Sequence, residues 1–261
     1  MRFGILRINK KTATGILQEK RMKATEFEFR HRFWIIGAIF WFGFLLYRVD
    51  QLNMAQFLVN RTVGENSPHA DSVARSLLLF GAFLVLLTAL LRTWASAYLR
   101  TDVVQDPNLR TEKVLADGPY RYVRNPLYLG NILLAIGMGL LASRVGFAFI
   151  VLGMLVFCLR LIGLEEANLS REQGESYLEF CRRVPRLWPA LRPRVPPSGL
   201  QPNWRQAFLG EIFIGGFFLA TLAFAITINQ KAFFLIVAVA LLLYIVRSYA
   251  LAARKKSETK S

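Results

Sequence analysis

Apolar residues gather in six long runs separated by charged segments: Phe33–Tyr47, Leu77–Leu91, Leu127–Leu141, Val145–Leu159, Phe208–Ile228 and Ala232–Val246. Runs of this length, extended by their flanks toward about 20 residues, predict helices that cross a bilayer. The expected fold is therefore all-α, a polytopic membrane protein with about six transmembrane helices. The first run is short, so it either crosses with tilt and local bilayer thinning or lies as a hairpin in one leaflet. Segments rich in proline or charge divide the chain into a basic cytoplasmic arm (1–32), the first membrane helices (33–100), a central core (101–195) and a C-terminal hairpin with a basic tail (196–261). The hairpin turns around Asn229, Gln230 and Lys231.

Charge decides how these helices are oriented. The net charge is +16, which on its own would also suit a nucleic-acid partner. If both termini are cytoplasmic, 28 of the 33 Lys and Arg residues fall on the cytoplasmic side, leaving Arg48, Arg61, Arg75, Arg144 and Lys231 opposite. That alternation holds through every loop, as the positive-inside rule requires, and makes the excess charge an orientation signal that also attracts anionic headgroups. Nucleic-acid binding then has nothing left to explain. Composition agrees: 54% of residues are hydrophobic and the mean hydropathy is +0.36. The arm Met1–Arg32 reads mainly as a solvated tail, with Phe27, Phe29 and Phe33 near the lipid boundary. Cys158 and Cys181 both sit toward the cytoplasmic side and read as free thiols, and His31 and His69 offer no metal-ligand spacing.

Two polar strings carry candidate chemistry. The first runs from Gly118 to Gly130, Gly-Pro-Tyr-Arg-Tyr-Val-Arg-Asn-Pro-Leu-Tyr-Leu-Gly. Here Pro126 suits the first position of a helix and Asn125 its cap, because Asn accepts free amides and proline lacks an amide that would go unpaired. A helix start beside Arg121 and Arg124 is a natural seat for a carboxylate or phosphate, and equally an ordinary interfacial anchor. The second string starts with Glu165-Glu166 and continues through Gly174, Tyr177 and Phe180 to Val184-Pro185-Arg186. Two adjacent acids where a span meets the cytoplasm repel each other and cost desolvation, which suggests a cationic ligand unless they simply mark a wetted helix end.

Together, Gly-x-Tyr-x-x-x-Arg-Asn-Pro-x-Tyr-x-Gly followed about 35 residues later by Glu-Glu, Gly-x-x-Tyr and Val-Pro-Arg resembles the isoprenylcysteine carboxyl methyltransferase family and its phospholipid methyltransferase relatives. The resemblance covers roughly 112–189. It implies a cytoplasm-facing pocket for S-adenosylmethionine, formed by Glu112, Lys113, Val114, Leu115, Tyr120, Asn125, Pro126, Tyr128 and Glu165. Gly137 and Gly139 resemble a glycine pair of the phospholipid branch, although helix packing explains such glycines as well. Arg124, Arg160 and Glu166 are the residues expected around the reacting group, with Arg124 or Arg160 orienting an acceptor carboxylate. Two positions depart from the family pattern. Asn125 stands where the family often has His, and the expected substrate-contacting Arg falls on Leu161, next to Arg160.

The activity implied is methyl transfer to a lipophilic acceptor dissolved in the membrane, such as a carboxylate. Phospholipid or thiol methylation is the alternative within the family. Outside it stand an NADPH-dependent membrane reductase and a non-catalytic scaffold. The sequence leaves the acceptor and the oligomeric state open.

Overall fold

The computed structural model describes residues 22–99 and 116–258, with side chains to residue 250. Ten α-helices are present among the described residues: α1 (Glu26–Arg30), α2 (Arg32–Leu45), α3 (Met54–Thr62), α4 (Ala70–Tyr98), α5 (Pro126–Gly139), α6 (Arg144–Gln173), α7 (Glu175–Arg183), α8 (Trp204–Gly210), α9 (Ile212–Thr227) and α10 (Gln230–Glu258). A 3-10 turn over Gly118–Arg121 leads into α5.

Three helices are long and apolar enough to cross a membrane: α4, α6 and the Gln230–Ala250 part of α10. The expected fifth run is instead broken, because α8 and α9 meet at an angle of 57°; counted together they give a fourth candidate span. Helices α2 and α5 have 14 residues each. At 1.5 Å per residue they reach about 21 Å, short of a hydrocarbon core of about 30 Å. The loop between the first two runs also contains a helix, α3, that its polar composition hid.

Helix α5 lies between α4 and α6, with α2 packed against α6 and the α9–α10 hairpin against α4. Small residues make these crossings close. A Cβ on Gly137 would lie 2.7 Å from the carbonyl oxygen of Gly81, and one on Gly81 would lie 2.9 Å from that of Gly137, so α4 and α5 touch backbone to backbone. One core cluster gathers Met154, Cys158, Leu161 and Ile162 of α6 with Tyr128 and Ala135 of α5. A second joins Val85, Leu134 and Met138, flanked by aromatic residues of α2 and α9.

The end of the bundle opposite the motif strings is fastened by polar contacts. Asp50 takes an ion pair from Arg144 at 3.0 Å and the amide of Val145 at 3.2 Å, which holds its carboxyl below the ordinary range, the Arg144 hydrogen bond being the main cause. Tyr47 donates to the Leu141 carbonyl at 2.6 Å, while Asn53 and Ser143 cap α3 and α6.

The glycine contact makes a testable statement. Gly137→Val should lower stability in detergent by about 1–3 kcal/mol, the usual cost of overpacking. Gly215→Ala, which meets nothing within 4 Å, should be close to neutral in the same thermal unfolding measurement.

Candidate functional site

Helix α6 runs for 30 residues and does not end at the acids, so Glu165 and Glu166 sit on a continuous helix two turns before it stops at Gly174. Neighbours on a helix point about 100° apart, and the two carboxylates meet different surroundings. Glu166 is 4% exposed. It accepts from Arg124 Nη1 at 3.1 Å, Arg186 Nε at 3.1 Å and Asn125 Nδ2 at 3.3 Å. Glu165 is half-buried and accepts from the Tyr128 hydroxyl at 2.8 Å.

The knot around Glu166 corrects the expected role of Asn125. This residue stands at the cap position of α5, but its side chain makes no capping hydrogen bond. Its amide instead donates to Glu166 and, at 3.0 Å, to the carbonyl of Arg186. A buried carboxylate needs donors more than the helix start needs an acceptor. Arg124 adds a backbone bond to Pro185 at 2.9 Å, so the start of α5, the middle of α6 and the Val-Pro-Arg segment are drawn together at one carboxylate. Arg124 Nε and Arg186 Nη2 remain buried without a hydrogen-bond partner. The knot is therefore rich in donors gathered on one carboxylate.

Tyr120 and Tyr128 are each 8% exposed. Burial, and after it the charge of Glu165, pushes the Tyr120 phenol well above its ordinary range, so it is a neutral phenol at physiological pH. Pro126 is buried at the first position of α5, as expected. Next to this turn, the Asp117 carboxylate accepts the Ser198 hydroxyl and the amides of Ser198, Gly199 and Leu200. Desolvation alone would raise its pKa, but these bonds outweigh it and hold the carboxyl below the usual range. The proline-rich segment is thus clasped over the 3-10 turn.

Other expected site residues are placed elsewhere. Arg160 pairs with Glu28 at 2.7 Å, away from the knot. The bare faces of Gly137 and Gly139 are covered by Gly81 and by the Phe147 ring, so packing accounts for both. Glu112, Lys113, Val114 and Leu115 lie outside the described residues.

Sequence reasoning missed one polar cluster. Arg92 of α4 holds Glu211, at the α8–α9 break, through two bonds of 2.8 and 3.1 Å, and donates to Asn131 of α5 at 2.7 Å; Ser96 adds a bond to Glu211 at 2.8 Å. Gly130, the last residue of the first string, gives Arg92 its passage, since a Cβ there would lie 2.7 Å from the Arg92 Cγ. The available signal was an ionisable residue beside one apolar run and another inside a second, which in a membrane protein need partners.

The comparisons with known proteins follow from this segment. Residues 76–175 match the family model of the phospholipid methyltransferases. No curated protein and no solved structure matches the chain. The matched segment runs from within α4 through α5 and α6, and so contains Arg92, the first string and both acids, while Arg186 and Glu211 lie beyond it. The resemblance to membrane methyltransferases read from the two strings is thereby shown, in its phospholipid branch.

The two acids should separate experimentally. Glu166→Gln strands two guanidinium groups and should cost about 3 kcal/mol of stability, the low end for breaking a buried pair because Arg186 is partly wetted. Glu165→Gln should change thermal unfolding by under about 1 kcal/mol.

Proposed function

We propose that this is an integral-membrane methyltransferase that binds S-adenosylmethionine at the cytoplasmic end of α5 and α6 and methylates a lipophilic acceptor. The observation that carries the reading is the division between the two acids. Glu166 is consumed in holding the scaffold, while Glu165 is a half-buried carboxylate held by the buried Tyr128 phenol. Such a group suits a ligand that brings N–H or O–H donors or a positive charge. The cofactor has an ammonium, ribose hydroxyls and a sulfonium, so its chemistry fits this donor set.

When bound, S-adenosylmethionine supplies a methyl group on a positive sulfur; transfer breaks that carbon–sulfur bond, forms a bond to the acceptor and leaves a neutral thioether. The protein's own part is positioning and water exclusion. Tyr128 orients Glu165, and Tyr120 closes the same region as a neutral, buried ring that can face a cation. Arg124 serves through Glu166, to which it is committed. The 28-to-5 partition of Lys and Arg supports cytoplasmic termini. The phospholipid branch supports an acceptor with a lipid body, whether its nucleophile is an amine, a thiol or a carboxylate.

Two measurements test this. The purified protein should bind S-adenosylhomocysteine but not NADPH in isothermal titration, and Glu165→Gln should weaken that binding by about 1.5–3 kcal/mol, the range for hydrogen bonds to charged groups; unchanged affinity would refute the role of Glu165. The second concerns the nucleophile. A carboxylate is ionised above about pH 5, so with such an acceptor the methylation rate should be flat between pH 6 and 8. A steady climb through that window would assign an amine or thiol that must first lose a proton.

A further inference from the structure

Among the described residues ahead of the family-matched segment, the stretch 22–32 is fastened to α6. Residues 22–25 cross α6, where the Ala24 amide donates to the Arg160 carbonyl at 2.9 Å and Ala24 is 5% exposed. A side chain on Gly163 would collide with the carbonyl oxygen of Met22, so the crossing is backbone on backbone. Thr25 and Glu28 then form a reciprocal capping box that opens α1, and the same Glu28 carboxylate takes Arg160 through Nε at 3.2 Å and Nη2 at 2.7 Å. This strap lies one to two turns before Glu165 on the same helix.

The strap ends in Arg32. Its guanidinium lies 4.4 Å over the Phe29 ring and donates to the Phe29 carbonyl at 2.8 Å. Phe29 packs against the cluster that contains Tyr128, and Tyr128 holds Glu165. Through Phe29 the exposed Arg32 guanidinium is thus tied to the same packed cluster as Tyr128, the phenol that holds the half-buried Glu165, and each charged group has hydrogen-bonding capacity left over.

From this arrangement we infer that the strap is a third wall of the cofactor site, in which Arg32 and Glu165 together recognise the zwitterionic amino-acid end of the ligand, Arg32 taking its carboxylate and Glu165 its ammonium. The inference rests on the cofactor reading above and adds a residue that precedes the family-matched segment. Gly163 and the Glu28–Arg160 pair act at one remove, by seating the strap so that Arg32 is presented.

The test uses two ligands that share the adenosine and thioether but differ in the amino-acid end. The full chain in detergent is titrated with S-adenosylhomocysteine and with 5′-methylthioadenosine, which lacks that end. Arg32→Ala should weaken binding of the first by roughly tenfold or more, as expected for losing a hydrogen bond to a charged group, and leave the second unchanged. Arg32→Lys should retain part of the difference. Gly163→Val should reproduce the selective loss with Arg32 still in the chain; should it fail to fold, Glu28→Gln gives a milder version of the same pattern. Equal weakening of both ligands, or of neither, by Arg32→Ala overturns the role of Arg32 while the cofactor reading stands. A wild-type protein that binds neither ligand overturns both.

Discussion

Most of the architecture around the site depends on one buried carboxylate. Removing Glu166 from water would be prohibitive without compensation, and its neighbours supply it from three separate stretches of chain: Arg124 and Asn125 before α5, and Arg186 beyond α7. The same three contacts fix where α5 begins, how it lies on α6 and how the proline-rich segment returns across this end of the bundle. Because Glu166 takes these donors, the adjacent Glu165 is left to face Tyr128 alone among its neutral hydrogen-bond partners. One dipeptide thereby yields a buried acid bound to three donors and a half-buried acid held by one phenol, through the 100° step of the helix.

Much of this was legible in the sequence, and the rest was hidden for identifiable reasons. The apolar runs located the helices, and two strings of recognisable spacing, Arg-Asn-Pro-x-Tyr and Glu-Glu, pointed to the segment that the family match covers. Local rules failed where a tertiary partner outbid them. Asn125 before Pro126 satisfies every local criterion for a cap, yet a carboxylate 41 residues away takes its amide. Arg160 looked available beside the acids because its partner Glu28 lies 132 residues earlier. The Arg92–Glu211 pair spans 119 residues. No periodicity within a window reports contacts of that range. Helix lengths were obscured differently: hydrophobic runs continue past the ends of α2 and α5 into turns, so apolar length overstated helical length.

The short helices and the glycine crossings belong together. A 14-residue helix brings its polar ends closer than a full span would, placing the Asn125 knot at one end of α5 and the turn bonded by Tyr47 at the other. Such a helix has little apolar area with which to hold its place, and in lipid no hydrophobic force drives it against a neighbour. Close backbone contact at Gly81 and Gly137, together with Thr88 donating to the Gly130 carbonyl at 3.1 Å, supplies the dispersion and polar contacts that fix it between α4 and α6. The glycines thus serve the site through the position of α5, which carries Tyr128.

The C-terminal hairpin poses the remaining physical question, since α9 and α10 lie beyond the matched segment. In the apolar window of α10 only 6% of residues are buried, against 39% in α6, so α10 is held mainly by α9. A polar attachment of the hairpin to the family-matched segment is Glu211, whose ties to Arg92 and Ser96 form where α8 breaks from α9. Placing a carboxylate at that bend is costly unless its cation is already oriented, and Arg92 is oriented by Asn131 and by the open face of Gly130. A residue of the first string therefore acts on a helix outside the family segment. The hairpin is thus docked on α4 through a cation that α5 orients, the helix that also presents Tyr128 to Glu165.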